Sequence, residues 1–223
     1  MKRTFSFVAL LCVFPGVSAR AVSGGPDRAF VGPSFSLVSS DGPSRPVFDL
    51  ALKAVSSAVS RGVIAPPPTL TVIDYSRPST EPRLWVIDLA SGALLFRELV
   101  AHGKNTGANL AARFSNNPES LQSSLGLFVT EGTYTGSNGY SLRLNGLEPG
   151  VNDRARERAI VMHGAPYVDQ RTAASLGRLG RSWGCPALRP AIAHQVIDRI
   201  KGGSVIFAYY PDPAWLTSSR FLD

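Results

Sequence analysis

Short runs of β-branched, aromatic and aliphatic residues, broken by glycine, proline and asparagine, dominate the chain from residue 65 onward. Such runs predict short strands joined by tight turns, and they exclude a helical bundle or a long coiled coil. The 21 glycines and 17 prolines fit a turn-rich protein. A hydrophobic content of 44% excludes intrinsic disorder, because it can offset the entropy lost on ordering. We therefore predict a β-rich globular domain.

The predicted secondary structure is mostly strand, with two helices. Two hairpins are predicted, with turns at residues 90–93 and 136–139. Helical spacing of apolar residues predicts one helix over 47–61 and another over 190–201. The predicted strands are residues 69–75, 83–89, 94–100, 127–135, 140–144, 158–162 and 204–210.

The N-terminal segment has the layout of a secretory signal. Two basic residues at positions 2 and 3 precede an apolar run over 5–13, and small residues at 17–19 suit a signal peptidase. The run is too short for a transmembrane span, so no membrane segment is expected after cleavage. The predicted organisation is a signal peptide over 1–19, a Gly/Pro/Ser-rich linker over 20–45 and a folded domain over 46–223, with the 47–61 helix packed on the β-rich body.

The formal net charge of +7 restricts the partners that suit the chain. Removing residues 1–19 takes away two bases and no acids, which leaves +5. A cationic exported protein suits an anionic cell wall or membrane surface. No Lys/Arg run interleaved with aromatic residues supports binding to nucleic acid. Signal cleavage also removes Cys12, so Cys185 is the remaining thiol and no internal disulfide is expected.

Cys185 and His163 form the candidate catalytic pair. His163 directly follows the predicted strand 158–162, and Cys185 lies in a glycine-containing turn. A thiol with a pKa near ~8.5 is mostly neutral at pH 7, and a nearby imidazole can take its proton and pass it to a leaving amine. Gly184 permits close approach of a substrate, so the N–H groups of Gly184 and Cys185 can form an oxyanion hole. Ser182 is expected to orient the imidazole through a hydrogen bond. On these residues alone, a buried structural cysteine and a capping histidine remain the competing interpretation.

Several ordered blocks of the chain resemble the L,D-transpeptidase catalytic domain family, the YkuD-like family, in its murein-associated branch. His163 matches the family histidine, and residues 182–185 match its S-x-G-C motif. Upstream, residues 123–128 (SSLGLF) keep the G-x-F part of a T-P-x-G-x-F block. The resemblance covers about residues 47–210 and implies a mainly β fold, a sandwich or barrel with peripheral α-helices.

The resemblance also implies an activity on the stem peptides of peptidoglycan. Cys185 attacks the carbonyl of an L-centre joined to a D-residue, His163 shuttles the proton, and an acyl-enzyme thioester remains. An amine of another stem then resolves the thioester, which makes the protein an L,D-transpeptidase of the periplasm or cell wall. Water in place of the amine makes it an L,D-carboxypeptidase, and a non-catalytic peptidoglycan-binding module is the third alternative. No metal or organic cofactor is implied, and carbapenem β-lactams are expected to acylate Cys185.

Two departures from the family pattern concern substrate binding. Trp183 stands where many members have histidine or a polar residue, and it either walls the donor pocket or plugs the turn. Ala187 stands where many members have arginine, so Arg178, Arg181 or Arg189 is expected to supply that charge. The residues predicted to bind substrate are Trp183, Gly164, Arg181, Arg178 and Tyr140.

The other histidines and a mixed charge cluster have structural interpretations. His102 is expected to make local hydrogen bonds at a strand end, and His194 is expected to be structural. Their spacing from His163 and Cys185 resembles no standard zinc pattern. The charged residues of 153–158 are interpreted as solvated surface, with a role in holding a stem carboxylate as the alternative.

Overall fold

The computed structural model describes residues 41–223, and the predicted signal and residues 20–40 of the predicted linker lie outside this range. The helices are α1 (Arg45–Ser60), α2 (Gln170–Leu176), α3 (Pro190–Ile200) and α4 (Pro213–Ser218). The strands are β1 (Thr69–Asp74), β2 (Leu84–Asp88), β3 (Leu94–Glu98), β4 (Gly126–Gly136), β5 (Gly139–Gly146), β6 (Val161–Gly164), β7 (Ala187–Leu188) and β8 (Val205–Tyr209). Within residues 41–223, none of the helices combines the length and apolar character needed to cross a bilayer.

The strands of residues 41–223 form a mixed sheet that curls back on itself. Their order is β3-β2-β1-β8-β4-β5-β6-β7, in which β1 pairs in parallel with β8, and β6 with β7. The other neighbouring pairs are antiparallel. Beyond β3 the chain reaches Ala101, whose N–H donates to the carbonyl of Ala187 in β7 at 2.9 Å. This bridge joins the two edges of the sheet, and it confirms the expected mainly β, barrel-like fold with peripheral helices.

The hydrophobic core lies within the curled sheet and between the sheet and the longer helices. β1 is buried along its whole length, as expected for a strand that is covered on both faces. α1 buries Phe48, Ala51 and Val55 and packs against β1 and β8. Burial of a large apolar side chain of this kind contributes roughly 1.5–3 kcal/mol. α3 packs against β5 and β6, and it therefore supports the strand that carries His163.

The structure differs from the sequence-based expectations at its short elements. α2, α4 and the two-residue β7 were not predicted, because none of them carries a full period of apolar residues. α2 begins at the N-cap Asp169, whose carboxylate accepts the N–H groups of Arg171 and Thr172. β6 begins at Val161, later than the predicted strand, because residues 149–159 form a run of turns.

A fully buried arginine links the barrel wall to the segment that follows β3. Arg83 Nε and Nη2 donate to the carbonyl of Val100 at 3.1 and 2.9 Å, and Nη1 donates to the carbonyl of Arg77 at 2.9 Å. Nη2 also lies 2.9 Å from His102 Nδ1, which must accept, so the ring proton is on Nε2, 3.4 Å from the carbonyl of Gly107. Burial, and then the charge of Arg83, lowers the pKa of His102 to about 4. His102 is therefore neutral in the native protein.

We expect the protein to lose stability as the pH falls from about 6.5 to about 4, because the unfolded chain binds a proton on His102 that the native state excludes. The loss due to this histidine is on the order of 3 kcal/mol at the acid end of the range. His102→Gln keeps an acceptor and a donor but does not titrate, so it should remove this part of the pH dependence. Urea unfolding at a series of pH values measures the effect, and equal slopes for the two proteins would contradict it.

Candidate active site

The predicted nucleophile and base line one cleft of about 410 Å³. His163 lies in β6 and is in register with Ala187 of the neighbouring parallel strand β7. Cys185 comes two residues before Ala187, so pairing of the two strands brings the motifs together. The tip of the β4–β5 hairpin forms another wall. The cleft is lined by Ser137, Asn138, Arg158, Ala159, His163, Tyr167, Arg181, Ser182, Trp183 and Cys185.

Hydrogen bonds from two other segments hold the turn that contains the cysteine, residues 181–185. On one side, Ser182 N–H donates to the carbonyl of His102 at 3.0 Å, and Lys104 N–H donates to the carbonyl of Ser182 at 2.7 Å. On the other side, Ser123 Oγ donates to the carbonyl of Gly184 at 3.0 Å. The turn is therefore fixed before any substrate arrives, which reduces the entropic cost of reaching the reactive geometry.

Gly184 has to be a glycine for two reasons. Its φ of 128° lies in a region that L-residues rarely adopt. A Cβ at this position would lie 2.8 Å from the carbonyl oxygen of Gln122 and 2.9 Å from Ile160 Cδ1. The backbone can approach its neighbours this closely only without a side chain, and this explains the glycine that precedes the cysteine.

The thiol of Cys185 lies in a tight, mostly buried environment. Its side chain is 8% exposed, and Sγ accepts the N–H of Val161 at 3.5 Å and donates to the carbonyl of Ala159 at 3.7 Å. Burial raises the pKa of the thiol, while the Val161 N–H and the charge of Arg158 act in the opposite direction. Ala159 itself has a left-handed φ of 51°, an uncommon conformation for a non-glycine residue that is often found at functional sites. The resting cysteine is thus a protonated thiol that needs a base.

The ring of His163 has one protonated and one basic nitrogen. Its Nδ1 lies 3.0 Å from the carbonyl of Gly164, and because a carbonyl only accepts, Nδ1 carries the ring proton and Nε2 is the basic nitrogen. Burial lowers the pKa of His163, and the bond to Gly164 partly opposes this. The ring is therefore neutral near pH 7. Within residues 41–223 no hydrogen bond joins His163 to Cys185, although both side chains line the cleft.

Ser182 differs from its predicted role. Its hydroxyl donates to the carbonyl of Cys185 at 2.6 Å and accepts the N–H of Gly184 at 3.1 Å, so it shapes the turn, and within residues 41–223 no hydrogen bond joins it to His163. The carbonyl of Gly164 orients the imidazole instead. The same geometry affects the predicted oxyanion hole, because the Gly184 N–H is already bonded. The Cys185 N–H has no acceptor within residues 41–223 and stays available.

Two of the residues predicted to bind substrate lie in the cleft. Trp183 is 77% exposed, so it stands as a wall and does not plug the turn. Arg181 lines the cleft, and its Nη1 donates to the carbonyls of Lys104 and Gly107 at 3.2 and 3.0 Å.

The other three residues predicted to bind substrate do not line the cleft. Arg178 donates to the carbonyl of Leu179 at 2.9 Å. Tyr140 stacks on His194 of α3, with ring centroids 4.6 Å apart, and its hydroxyl donates to Asp198. Gly164 contributes to the site only through its carbonyl, which accepts the ring N–H of His163. His194 and His102 therefore lie on different elements with other partners, and neither joins Cys185.

Two further residues of the cleft, Arg158 and Tyr167, are not among the predicted site residues. The charge cluster that contains Arg158 is interpreted above as solvated surface, with the binding of a stem carboxylate as the alternative, and Arg158 itself is half-buried and lines the cleft. Tyr167 lies four residues after His163, and burial raises its pKa to about 12, so it remains a neutral phenol. A second cleft of about 560 Å³ adjoins the first and shares Trp183, Arg158 and Ala159 with it. No local pattern marks these residues, because turns and distant segments place them.

Gly184→Ala is expected to destabilise the protein more than Gly177→Ala, a matched control at the end of α2. Both glycines have positive φ, but a Cβ on Gly177 would have no atom within 4 Å. The control should cost roughly 1–2 kcal/mol for the left-handed backbone alone. At position 184 the overlap with Gln122 and Ile160 adds to that cost. Urea unfolding compares the two free energies, and equal losses would show that the turn can relax around the added methyl group.

A protein-family model described as the L,D-transpeptidase catalytic domain matches residues 40–209. None of the curated proteins matches the chain.

Several solved structures match the chain at low sequence identity. An L,D-transpeptidase from Mycobacterium smegmatis is 16% identical with a TM-score of 0.41, covering 64% of this chain and 59% of that one. The L,D-transpeptidase LdtMt1 in complex with imipenem is 17% identical with a TM-score of 0.39, covering 64% and 59%. The helical cell shape determining protein Pgp2 from Campylobacter jejuni is 13% identical with a TM-score of 0.44, covering 65% and 48%. The chain thus spans less than two thirds of the length of each of these proteins.

Proposed function

The chain belongs to the L,D-transpeptidase catalytic domain family, and we propose that it is a cysteine acyltransferase that cross-links the stem peptides of peptidoglycan. One observation carries the proposal: a buried cysteine and a neutral histidine with a free Nε2 line the same cleft. A protein that only binds the cell wall needs neither a nucleophile nor a base, so the arrangement supports catalysis over simple binding.

In the proposed acylation, His163 Nε2 takes the thiol proton as Cys185 Sγ attacks the carbonyl carbon of the L-centre. The available N–H of Cys185 stabilises the oxyanion of the tetrahedral intermediate. The amide C–N bond then breaks, and the imidazolium gives its proton to the departing nitrogen. The terminal D-residue leaves as a free amino acid, and a thioester joins Sγ to the shortened stem.

In the second half of the proposed reaction, an amine of another stem attacks the thioester carbonyl. His163 accepts the amine proton, the new amide forms, and Sγ leaves as the thiolate and regains its proton. The two clefts that share Trp183 provide room for a donor and an acceptor stem at the same time. This arrangement favours an amine acceptor over water, and therefore transfer over L,D-carboxypeptidase activity.

Arg181 is proposed to hold a carboxylate of the donor stem. Its guanidinium faces the cleft and is held by the carbonyls of Lys104 and Gly107, which do not neutralise its charge. A fixed guanidinium of this kind suits a carboxylate, because two parallel hydrogen bonds can form.

We further propose that the protein is exported and acts in the periplasm or the cell wall. Peptidoglycan lies there, and residues 1–19 have the layout of a secretory signal. Carbapenem acylation of Cys185 is proposed on the same chemistry, because a strained β-lactam amide is open to the same thiolate.

Incubation of the full chain with a disaccharide-tetrapeptide muropeptide, followed by mass spectrometry, tests the proposed function. A cross-linked dimer that has lost one D-residue is expected, and Cys185→Ala should abolish it. His163→Gln should slow it by about 10²- to 10⁴-fold, because general base catalysis is lost. His194→Gln, on the exposed face of α3, is the matched control and should retain full activity.

The other products distinguish the alternatives. A tripeptide monomer without dimer would identify an L,D-carboxypeptidase. Absence of any product that depends on Cys185 would contradict both enzymatic functions on this substrate.

Trp183→Ala is expected to raise KM for the muropeptide by about tenfold, because exposed aromatic walls of binding sites commonly dominate recognition. Stability should change by less than about 0.5 kcal/mol, since the side chain is exposed in the free protein. Trp183→Phe should retain most of the affinity. Steady-state kinetics provides the measurement, and an unchanged KM for Trp183→Ala would remove this residue from the binding site.

A further inference from the structure

One guanidinium beside the active-site turn is held by neutral oxygens alone. Arg158 Nη1 donates to the carbonyl of Ser115 at 2.7 Å and to Ser124 Oγ at 2.6 Å. Its Nη2 donates to Ser120 Oγ at 3.1 Å and to the carbonyl of Gln122 at 2.6 Å. Within residues 41–223 no carboxylate pairs with Arg158. The four bonds fix the guanidinium firmly but leave its charge unneutralised.

This charge lies close to the nucleophile. Arg158 and Cys185 line the same cleft, and Arg158 Nη2 is 3.5 Å from the position a Cβ on Gly184 would occupy. Three residues along the chain from Arg158, the N–H of Val161 contacts Cys185 Sγ at 3.5 Å. Burial raises the pKa of the thiol, and the charge of Arg158 opposes that rise.

The neighbouring arginines are arranged differently. Arg154 pairs with Glu157 and Arg156 pairs with Glu131, so both charges are partly neutralised at the surface. Arg189, one of the three arginines expected to replace the family arginine, is bonded to Glu98 through two hydrogen bonds at 2.7 and 2.9 Å.

The other two arginines expected to replace the family arginine are Arg178 and Arg181, and neither provides the charge next to the thiol. Arg178 does not line the cleft. Arg181 does line it, but its guanidinium is bonded to the carbonyls of Lys104 and Gly107, whereas the charge that acts on the Cys185 thiol is that of Arg158.

We propose that Arg158 is a positioning residue whose fixed positive charge stabilises the thiolate of Cys185 after His163 has taken the proton. The same guanidinium ties residues 115–124 to the run of turns that precedes β6. The inference rests on the proposed function only in taking Cys185 as the nucleophile. Because the thiol is mostly buried, a nearby unpaired cation favours the anionic sulfur more strongly than it would at the surface.

The other ionisable groups near the thiol do not supply this charge. Burial raises the pKa values of Tyr75 and Tyr167 to about 12, so both remain neutral phenols. Burial lowers the pKa of His163, and the ring is neutral in the resting protein. Arg181 is the other cation that lines the cleft, and it is left intact in the test below.

The test measures the pH dependence of the alkylation of Cys185 by iodoacetamide in the full chain, by mass spectrometry of the peptide that contains this residue. Arg158→Met and Arg158→Gln should raise the apparent thiol pKa by about one unit, and below that pKa they should slow alkylation by about tenfold. Arg158→Lys keeps the charge and should stay close to the parent protein. Arg156→Met, which removes a guanidinium paired with Glu131, is the matched control and should not change the profile.

A second variant separates the charge of Arg158 from its structural role. The double variant Ser120→Ala, Ser124→Ala removes two acceptors of Arg158 but keeps its charge. Under the proposal it should lower Tm without shifting the thiol pKa. If Arg158→Met does not fold, Arg158→Gln supplies the comparison, because an amide retains donors for the same oxygens. An unshifted profile in the folded uncharged variant, or an equal shift in Arg158→Lys, would overturn the proposal. Alkylation needs no peptidoglycan, so this result is independent of whether muropeptides are turned over.

Discussion

Closure of the sheet at the seam between β3 and β7 is the constraint on which the active site depends. β7 has only two residues, and by itself it would be a weakly held edge. The bridge between Ala101 and Ala187 gives it a second neighbour, and the two hydrogen bonds from Arg189 to the nearly buried carboxylate of Glu98 hold the same seam. Cys185 lies two residues before Ala187, the first residue of this strand, so any loosening of the seam would move the proposed nucleophile away from the proposed base in β6.

In the resting protein the two members of the proposed catalytic pair, Cys185 and His163, are both uncharged. Burial raises the pKa of the Cys185 thiol and lowers the pKa of the His163 imidazole, so both partners prefer their uncharged forms. Forming the ion pair is therefore unfavourable in the free protein, and in the proposed mechanism the proton moves as Sγ attacks the substrate. The fixed charge of Arg158 acts on one side of this equilibrium only, because it favours the anionic sulfur without favouring the imidazolium.

Local patterns predicted the parts of the molecule that local chemistry determines. The apolar runs marked the longer strands, and the motifs around His163 and Cys185 marked residues that strand pairing then brought together. The partners of Ser182, Arg158 and Tyr140 could not be predicted in the same way. The Ser182 hydroxyl is used by the backbone of its own turn, Arg158 bonds to oxygens more than thirty residues away, and Tyr140 is held by a helix far along the chain. The contacts of Arg158 and Tyr140 depend on the finished tertiary structure and leave no spacing in the sequence, and the local bonds of Ser182 depend on the conformation of its turn.

The exposure of Trp183 also provides an optical signal. Of the three tryptophans in the chain, Trp85 and Trp215 are buried at 1% and 5% exposure, while Trp183 is 77% exposed. The two buried indoles lie in the protein interior and contribute a steady background of short-wavelength emission. The solvent-exposed indole beside the nucleophile emits at longer wavelength, and any molecule that covers it will shift that emission to the blue. The protein thus carries its own fluorescent reporter of cleft occupancy, without a label and without turnover.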